Sequence, residues 1–168
     1  IEKEVKRDLI IADQFTFALR FRAEKGMGGE IARFYFIGPK GDSDRSFIRL
    51  SRYGNFIQIG SQRGNEKPST RLQLPAGPET AVLMLWDGKA GNVRMVFKTP
   101  RGKPVTSPPV KMSIIGNQTL ASYEIGNVNF AQNPAARKQV HLGEMMIYRG
   151  ILPNPDRPKV LNYLLQGF

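Results

Sequence analysis

From Phe15 onward the chain alternates. Phe15, Phe17, Leu19 and Phe21 are apolar, and Thr16, Ala18, Arg20 and Arg22 stand between them. Successive strand side chains point to opposite faces, so this segment reads as a strand with one buried and one wet face. Gly26, Gly28 and Gly29 end it. Further strands are predicted at Ile31–Ile37, Phe47–Leu50, Asn55–Ile59, Arg71–Leu74, Val93–Lys98, Lys111–Ile115, Ala121–Ile125 and Val140–Tyr148. Thr80–Trp86 is almost unbroken in its hydrophobicity, as expected of a central strand buried on both faces. Tyr53-Gly54-Asn55 reads as a hairpin connection, and residues 60–70 and 127–136 as loops. Residues 1–13 suit a short helix or a lead-in arm, and Val160, Leu161, Leu164 and Leu165 lie at helical spacing within a C-terminal helix. Many short strands with regular turns predict an all-β, antiparallel two-sheet sandwich. Its core is expected to hold Phe15, Phe17, Leu19, Phe21, Leu83, Leu85, Val93, Met95, Phe97, Met145, Ile147 and Tyr148 or its neighbour.

Composition narrows this further. With 168 residues and 40% hydrophobic content the chain suits one core, divided here as an arm over 1–12 and a domain over 13–168. Gly 17 and Pro 12 supply turns. The absence of cysteine excludes disulfides and thiolate metal sites. No apolar run approaches the roughly 18 residues of a membrane span. The start, Ile1-Glu2-Lys3-Glu4, carries no secretion signal pattern, and a chain that starts at Ile is expected either to have lost something before it or to be a piece of a longer protein. The formal charge of +11 favours anionic partners.

Three stretches resemble the concanavalin A-like (laminin-G-like) jelly-roll superfamily. Asp13–Arg22 is similar to its opening strand. Ala81–Gly88, then Val93–Phe97 and Arg101-Gly102-Lys103, is similar to its central strand, return strand and turn, with Trp86 for a tyrosine and Arg101 for an asparagine. Gly143-Glu144-Met145-Met146-Ile147-Tyr148-Arg149-Gly150-Ile151-Leu152 resembles its closing signature, followed by Asn154–Pro158 and a helix. The resemblance implies a jelly roll over 13–168 with a short C-terminal helix, and a structural role for Glu144. The tryptophan-histidine pair before the central strand is missing, Gly77-Pro78-Glu79-Thr80 standing there, and the acidic calcium pattern is not evident.

Catalytic chemistry finds little support. A glycosidase on a strand needs two carboxylates at i and i+2 or i+4, and Met146 and Tyr148 occupy the positions that would partner Glu144. His141 is the only histidine; with Tyr148 and Arg149 it outlines a lyase-like set, but an isolated histidine at a strand start is commonly a polar edge residue. Asp42, Asp44 and Asp87 are the candidate calcium ligands, although turn carboxylates are commonly just solvated. No other cofactor is implied.

The cations are better organised. Six Lys or Arg and no acid fall between Gly88 and Tyr123. Arg20, Arg22, Arg49, Arg94 and Lys98 hold the non-core parity, so neighbouring strands would make the outer face of one sheet a basic stripe. Arg101 and Lys103 extend it, and Tyr53 offers a ring for stacking on sugar. Tyr35, Phe56 and Trp86 are further aromatic candidates, with Trp86 expected in the core. Arginine forks match sulfate, carboxylate and phosphate. The expected function is a non-catalytic recognition or adhesion module of an extracellular or virion protein, binding glycan or an acidic protein surface beside other subunits or domains. A structural assembly module is the alternative, a hydrolase or lyase is disfavoured, and nucleic acid is disfavoured for want of a recognised motif.

Overall fold

In the computed structural model the backbone is described over residues 2–4, 14–23, 28–38, 41–53, 55–74, 79–111, 119–125 and 140–166, and side chains over 14–22, 29–37, 46–52, 55–74, 79–111, 123–125 and 141–166. These residues form twelve strands and one helix: β1 (Glu2–Glu4), β2 (Gln14–Ala23), β3 (Gly28–Gly38), β4 (Gly41–Tyr53), β5 (Phe56–Arg63), β6 (Ser69–Gln73), β7 (Glu79–Asp87), β8 (Asn92–Lys98), β9 (Val105–Thr106), β10 (Val110–Lys111), β11 (Thr119–Ile125), β12 (Val140–Arg149) and α1 (Arg157–Gln166). Sheet A runs β1-β11-β3-β4-β5-β6, and sheet B runs β10-β8-β7-β2-β12 with β9 paired to β8. Every pairing is antiparallel. The fold is an all-β two-sheet sandwich with a short C-terminal helix, as the alternation predicts.

The two sheets meet through aromatic rings. Phe15 and Phe17 of β2 lie 5.2 and 4.9 Å from Phe34 of β3, and Trp86 of β7 lies 5.2 Å from Phe36. Around them Leu19, Phe21, Ile48, Leu50, Ile57, Ile59, Val82, Met84, Val93, Met95 and Phe97 are buried. Each such side chain withdrawn from water stabilises the fold by about 1.5–3 kcal/mol.

A second apolar layer lies on the other face of sheet B. Ala18, Ala81, Leu83, Leu85 and Val96 pack with Leu161 and Leu164 of α1. Leu83 and Leu85 are therefore buried as expected, but under the helix, while Val82, Met84 and Trp86 of the same strand face the aromatic core. Burial on both faces explains the unbroken hydrophobic run of β7. Pro158 is tolerated because first-turn N–H groups have no intrahelical acceptor.

Three expectations need correction. Met145 and Ile147 are 46% and 38% exposed. They pair with Leu19 and Phe17 and so share the core face, but β12 is an edge strand, where parity sets direction and not depth of cover. Met146 and Tyr148 pack against the helix layer instead. Glu2–Glu4 in the predicted arm is a strand on the edge of sheet A, paired with β11. The loop over 60–70 is mostly the β5–β6 hairpin, turning at Gly64 with φ +54°, a conformation glycine adopts without strain. Of the strand expected over 111–115 only Lys111 is described, ending β10; the rest lies outside the described residues.

Candidate functional site

Register across sheet A determines which side chains share its outer face. One row reads Glu30, Ser51, Gln58, Arg71 from β3 to β6. The next reads Glu124, Arg33, Arg49, Gly60, Ser69 from β11 to β6. A third reads Tyr35, Phe47, Gln62 from β3 to β5. Among the described residues no helix lies over this face, because α1 packs on β7, β2 and β8 of the other sheet.

Arg33 is the hub. Both oxygens of Glu30 accept from it, Oε1 through Nε and Oε2 through Nη2 at 2.7 Å, and its Nη1 donates to the Tyr35 hydroxyl at 3.0 Å. Its guanidinium stands 4.6 Å over the Phe47 ring and 5.6 Å from that of Tyr35. The hydrogen bond to Glu30 holds Arg33 above its ordinary pKa, with burial opposing. Burial pushes the Tyr35 phenol up, and the Arg33 cation pulls it back. Glu30 thus spends both oxygens on Arg33 and is poorly placed to act as an acid or base. On β6, Arg71 donates to Gln58 Oε1 at 3.3 Å and lies 5.8 Å from the ring of Phe56, which is 41% exposed. Guanidinium forks, amides and exposed ring faces on one surface are the groups that bind hydroxylated or charged sugars.

The structure distributes the sequence-derived candidates over both sheets. Arg49 and Tyr53 lie on β4 of sheet A; the Tyr53 side chain lies outside the described ones. Arg20, Arg22, Arg94 and Lys98 lie on sheet B, so the single stripe expected from parity is split between two faces. Arg20 and Lys98 flank Ala81 in one row, but α1 covers that face. Arg20 Nη1 donates to the Leu164 carbonyl at 3.3 Å. Arg94 is exposed near Arg157, whose pKa is lowered by burial and by that repulsion. Arg101 and Lys103 are exposed around the turn that follows β8.

Among the other candidates, Trp86 is in the core. Asp87 Oδ1 accepts from Gln14 Nε2 and from the Ala90 N–H, both at 3.1 Å, and so organises a turn. The side chains of Asp42 and Asp44 lie outside the described ones, and among the described residues no group of three or more metal-binding side chains occurs. Glu144, for which the resemblance implies a structural role, accepts from the Tyr163 hydroxyl at 3.0 Å. His141 pairs with Arg22 and Tyr148 with Thr16. Six residues of strand separate those pairings, about 20 Å, too far for one proton-transfer site. Glu30, Arg33, Phe47, Gln58, Gly60 and Glu124 escaped the sequence reading. The polar parity of Arg33 and Tyr35 between Phe34 and Phe36 was the available signal.

No protein-family profile and no curated protein sequence matches the chain. Solved structures do match its fold. The botulinum neurotoxin serotype D binding domain superposes with a TM-score of 0.68 at 10% identity, covering 96% of this chain and 39% of that one. The binding domain of botulinum neurotoxin DC in complex with rat synaptotagmin II gives 0.61 at 13% identity, covering 97% and 39%. A botulinum neurotoxin type C structure, whose cell entry is described as dependent on two ganglioside molecules, gives 0.60 at 13% identity, also covering 97% and 39%. This chain spans about two fifths of the length of each. Among the described residues no helix is long and apolar enough to cross a membrane.

Proposed function

We propose that this chain is a non-catalytic recognition module of the concanavalin A-like jelly-roll type, binding glycan on the outer face of sheet A as part of a larger extracellular protein. The observation that carries the reading is the composition of that face: Arg33, Tyr35, Phe47, Arg49, Gln58 and Arg71 in adjoining register rows, with no helix over them among the described residues. Glu30, engaged through both oxygens by Arg33, supports a binding role over a catalytic one. The resemblance in fold to toxin binding domains, one described with gangliosides and one with synaptotagmin, is compatible with either a glycan or a protein receptor. Fold alone does not specify function, and the surface chemistry favours glycan.

A second reading has its own observation. Leu142, Met145 and Ile147 are 36%, 46% and 38% exposed along the edge strand β12, a surface suited to protein assembly. A glycan array probed with the whole chain separates the two. Binding to a defined class of glycan supports recognition of sugar. Silence on the array, together with self-association lost in Met145→Lys, supports assembly.

A further inference from the structure

Arg33 and Arg49 stand side by side in one register row, yet their situations differ. Arg33 is closed off by Glu30 and Tyr35. Arg49 is half-buried, and among the described residues it has no carboxylate or carbonyl partner. It reaches across β5 at Gly60, where a Cβ would stand 3.6 Å from Arg49 Nε, 3.2 Å from Ser69 Cβ and 3.4 Å from the Pro68 carbonyl oxygen. The guanidinium thus lies against the sheet beside Gly60, between Gln58 and Gln62 of β5 and facing Ser69 of β6. Ser51, two residues along β4 and on the same outer parity, is 1% exposed, and its hydroxyl has no hydrogen-bond partner. A half-buried cation with no acceptor among the described residues is a group that an anionic ligand would satisfy.

Charge along the row gives direction. At the β11 end stands Glu124, whose Oε2 is buried without a hydrogen-bond partner. At the β4–β6 end stands Arg49, with Arg71 in the adjoining row. From β11 to β5 is three strand spacings, about 14 Å, with Tyr35 and Phe47 in the adjoining row. An oligosaccharide lying across β4 to β6 would meet the half-buried Arg49 guanidinium, which has no carboxylate partner among the described residues.

We propose that Arg49, lying over Gly60 and flanked by Gln62 and Ser69, is the anion subsite of this face and takes the carboxylate or sulfate of an acidic sugar. This rests on the glycan-recognition reading and deepens it. A planar oxyanion accepts two parallel bonds from the guanidinium fork, and the serine and glutamine side chains lie within the same patch.

The test titrates the whole chain calorimetrically with a sialylated trisaccharide, a sulfated disaccharide and the neutral parent of each. The acidic members bind more tightly than their parents, and the stronger of the two identifies carboxylate or sulfate as the anion. Arg49→Gln lowers acidic-sugar affinity by about tenfold or more, the usual weight of a charge-assisted bond, and leaves the neutral parents unchanged. Arg49→Lys, which keeps the charge without the fork, recovers part of the loss. Circular dichroism on both variants establishes that the fold is retained. Preference for the neutral parents, or acidic binding indifferent to Arg49→Gln, overturns the subsite and leaves the recognition module standing. Failure of all four probes, with silence across the glycan array, overturns both.

Discussion

The guanidinium of Arg20 lies over Gly143, in the space any side chain on that glycine would occupy. From there its Nη1 reaches the Leu164 carbonyl at the C-terminal end of α1. The neighbouring Glu144 receives the Tyr163 hydroxyl from the same helix. Both residues sit where the β12–β2 register shifts, between Leu142 and Met145. A bulge re-aims side chains, and a glycine within it admits a close approach. The Gly143-Glu144 pair is thus a cradle for the helix. Gly143→Val displaces Arg20 and is expected to destabilise the chain by about 1–2 kcal/mol in urea unfolding. Unchanged stability would show that Arg20 does not anchor the helix through this gap.

Burial separates two residues that pair with one another. Phe17 is fully buried, and its register partner Ile147 is 38% exposed. Phe17→Ala leaves a cavity among Phe15, Phe34 and their neighbours and is expected to cost about 3–5 kcal/mol. Ile147→Ala is expected to cost about 1 kcal/mol or less. Equal losses from the two in chemical denaturation would contradict the difference in cover.

Tyr35 provides a pH signature. Burial raises its phenol above the ordinary tyrosine pKa of about 10. Because the folded value exceeds the unfolded one, its contribution to stability is fully present below the unfolded pKa. It disappears as pH rises through the folded value. The difference between ultraviolet phenolate titrations of the parent and Tyr35→Phe is expected to have its midpoint above pH 10. A midpoint at or below the free tyrosine value would place this ring in open solvent.

Glu144 is the carboxylate that family resemblance makes conspicuous, and its partner is a helix tyrosine. No polysaccharide is expected to be cleaved by the parent chain, and Glu144→Gln is expected to leave glycan binding unchanged. Release of reducing ends by the parent, abolished in a folded Glu144→Gln chain, would make this an enzyme.

Legibility in the sequence followed local periodicity. The β2 strand was evident because Phe15 to Phe21 alternate cleanly with small or charged residues. The β12 strand misled because the parity of Met145 and Ile147 gives the face but not the depth of cover, which an edge position reduces. The strands at Glu2–Glu4 and Val105–Thr106 are too short to carry a period. The site was obscured for another reason. Arg20 and Arg49 have the same outward parity, yet β2 pairs with β7 and β12 while β4 pairs with β3 and β5. Sheet membership is a long-range pairing that no window along the chain records. Aromatic candidates were within reach: the exposed Phe56 and the half-buried Tyr35 lie on the outer face of sheet A.

The most direct measurement compares the two basic faces at two salt concentrations. Binding of the preferred acidic glycan is measured near 0.1 M and 1 M salt, where the Debye length falls from about 10 Å to about 3 Å. It is repeated for Arg49→Gln/Arg71→Gln on sheet A and for Arg94→Glu/Lys98→Glu on sheet B. The predicted result is affinity that drops steeply with salt, is lost in the sheet A pair and survives in the sheet B pair. Salt-insensitive binding that tolerates the sheet A pair, or binding abolished only by the sheet B pair, would contradict recognition of an acidic glycan on the outer face of sheet A.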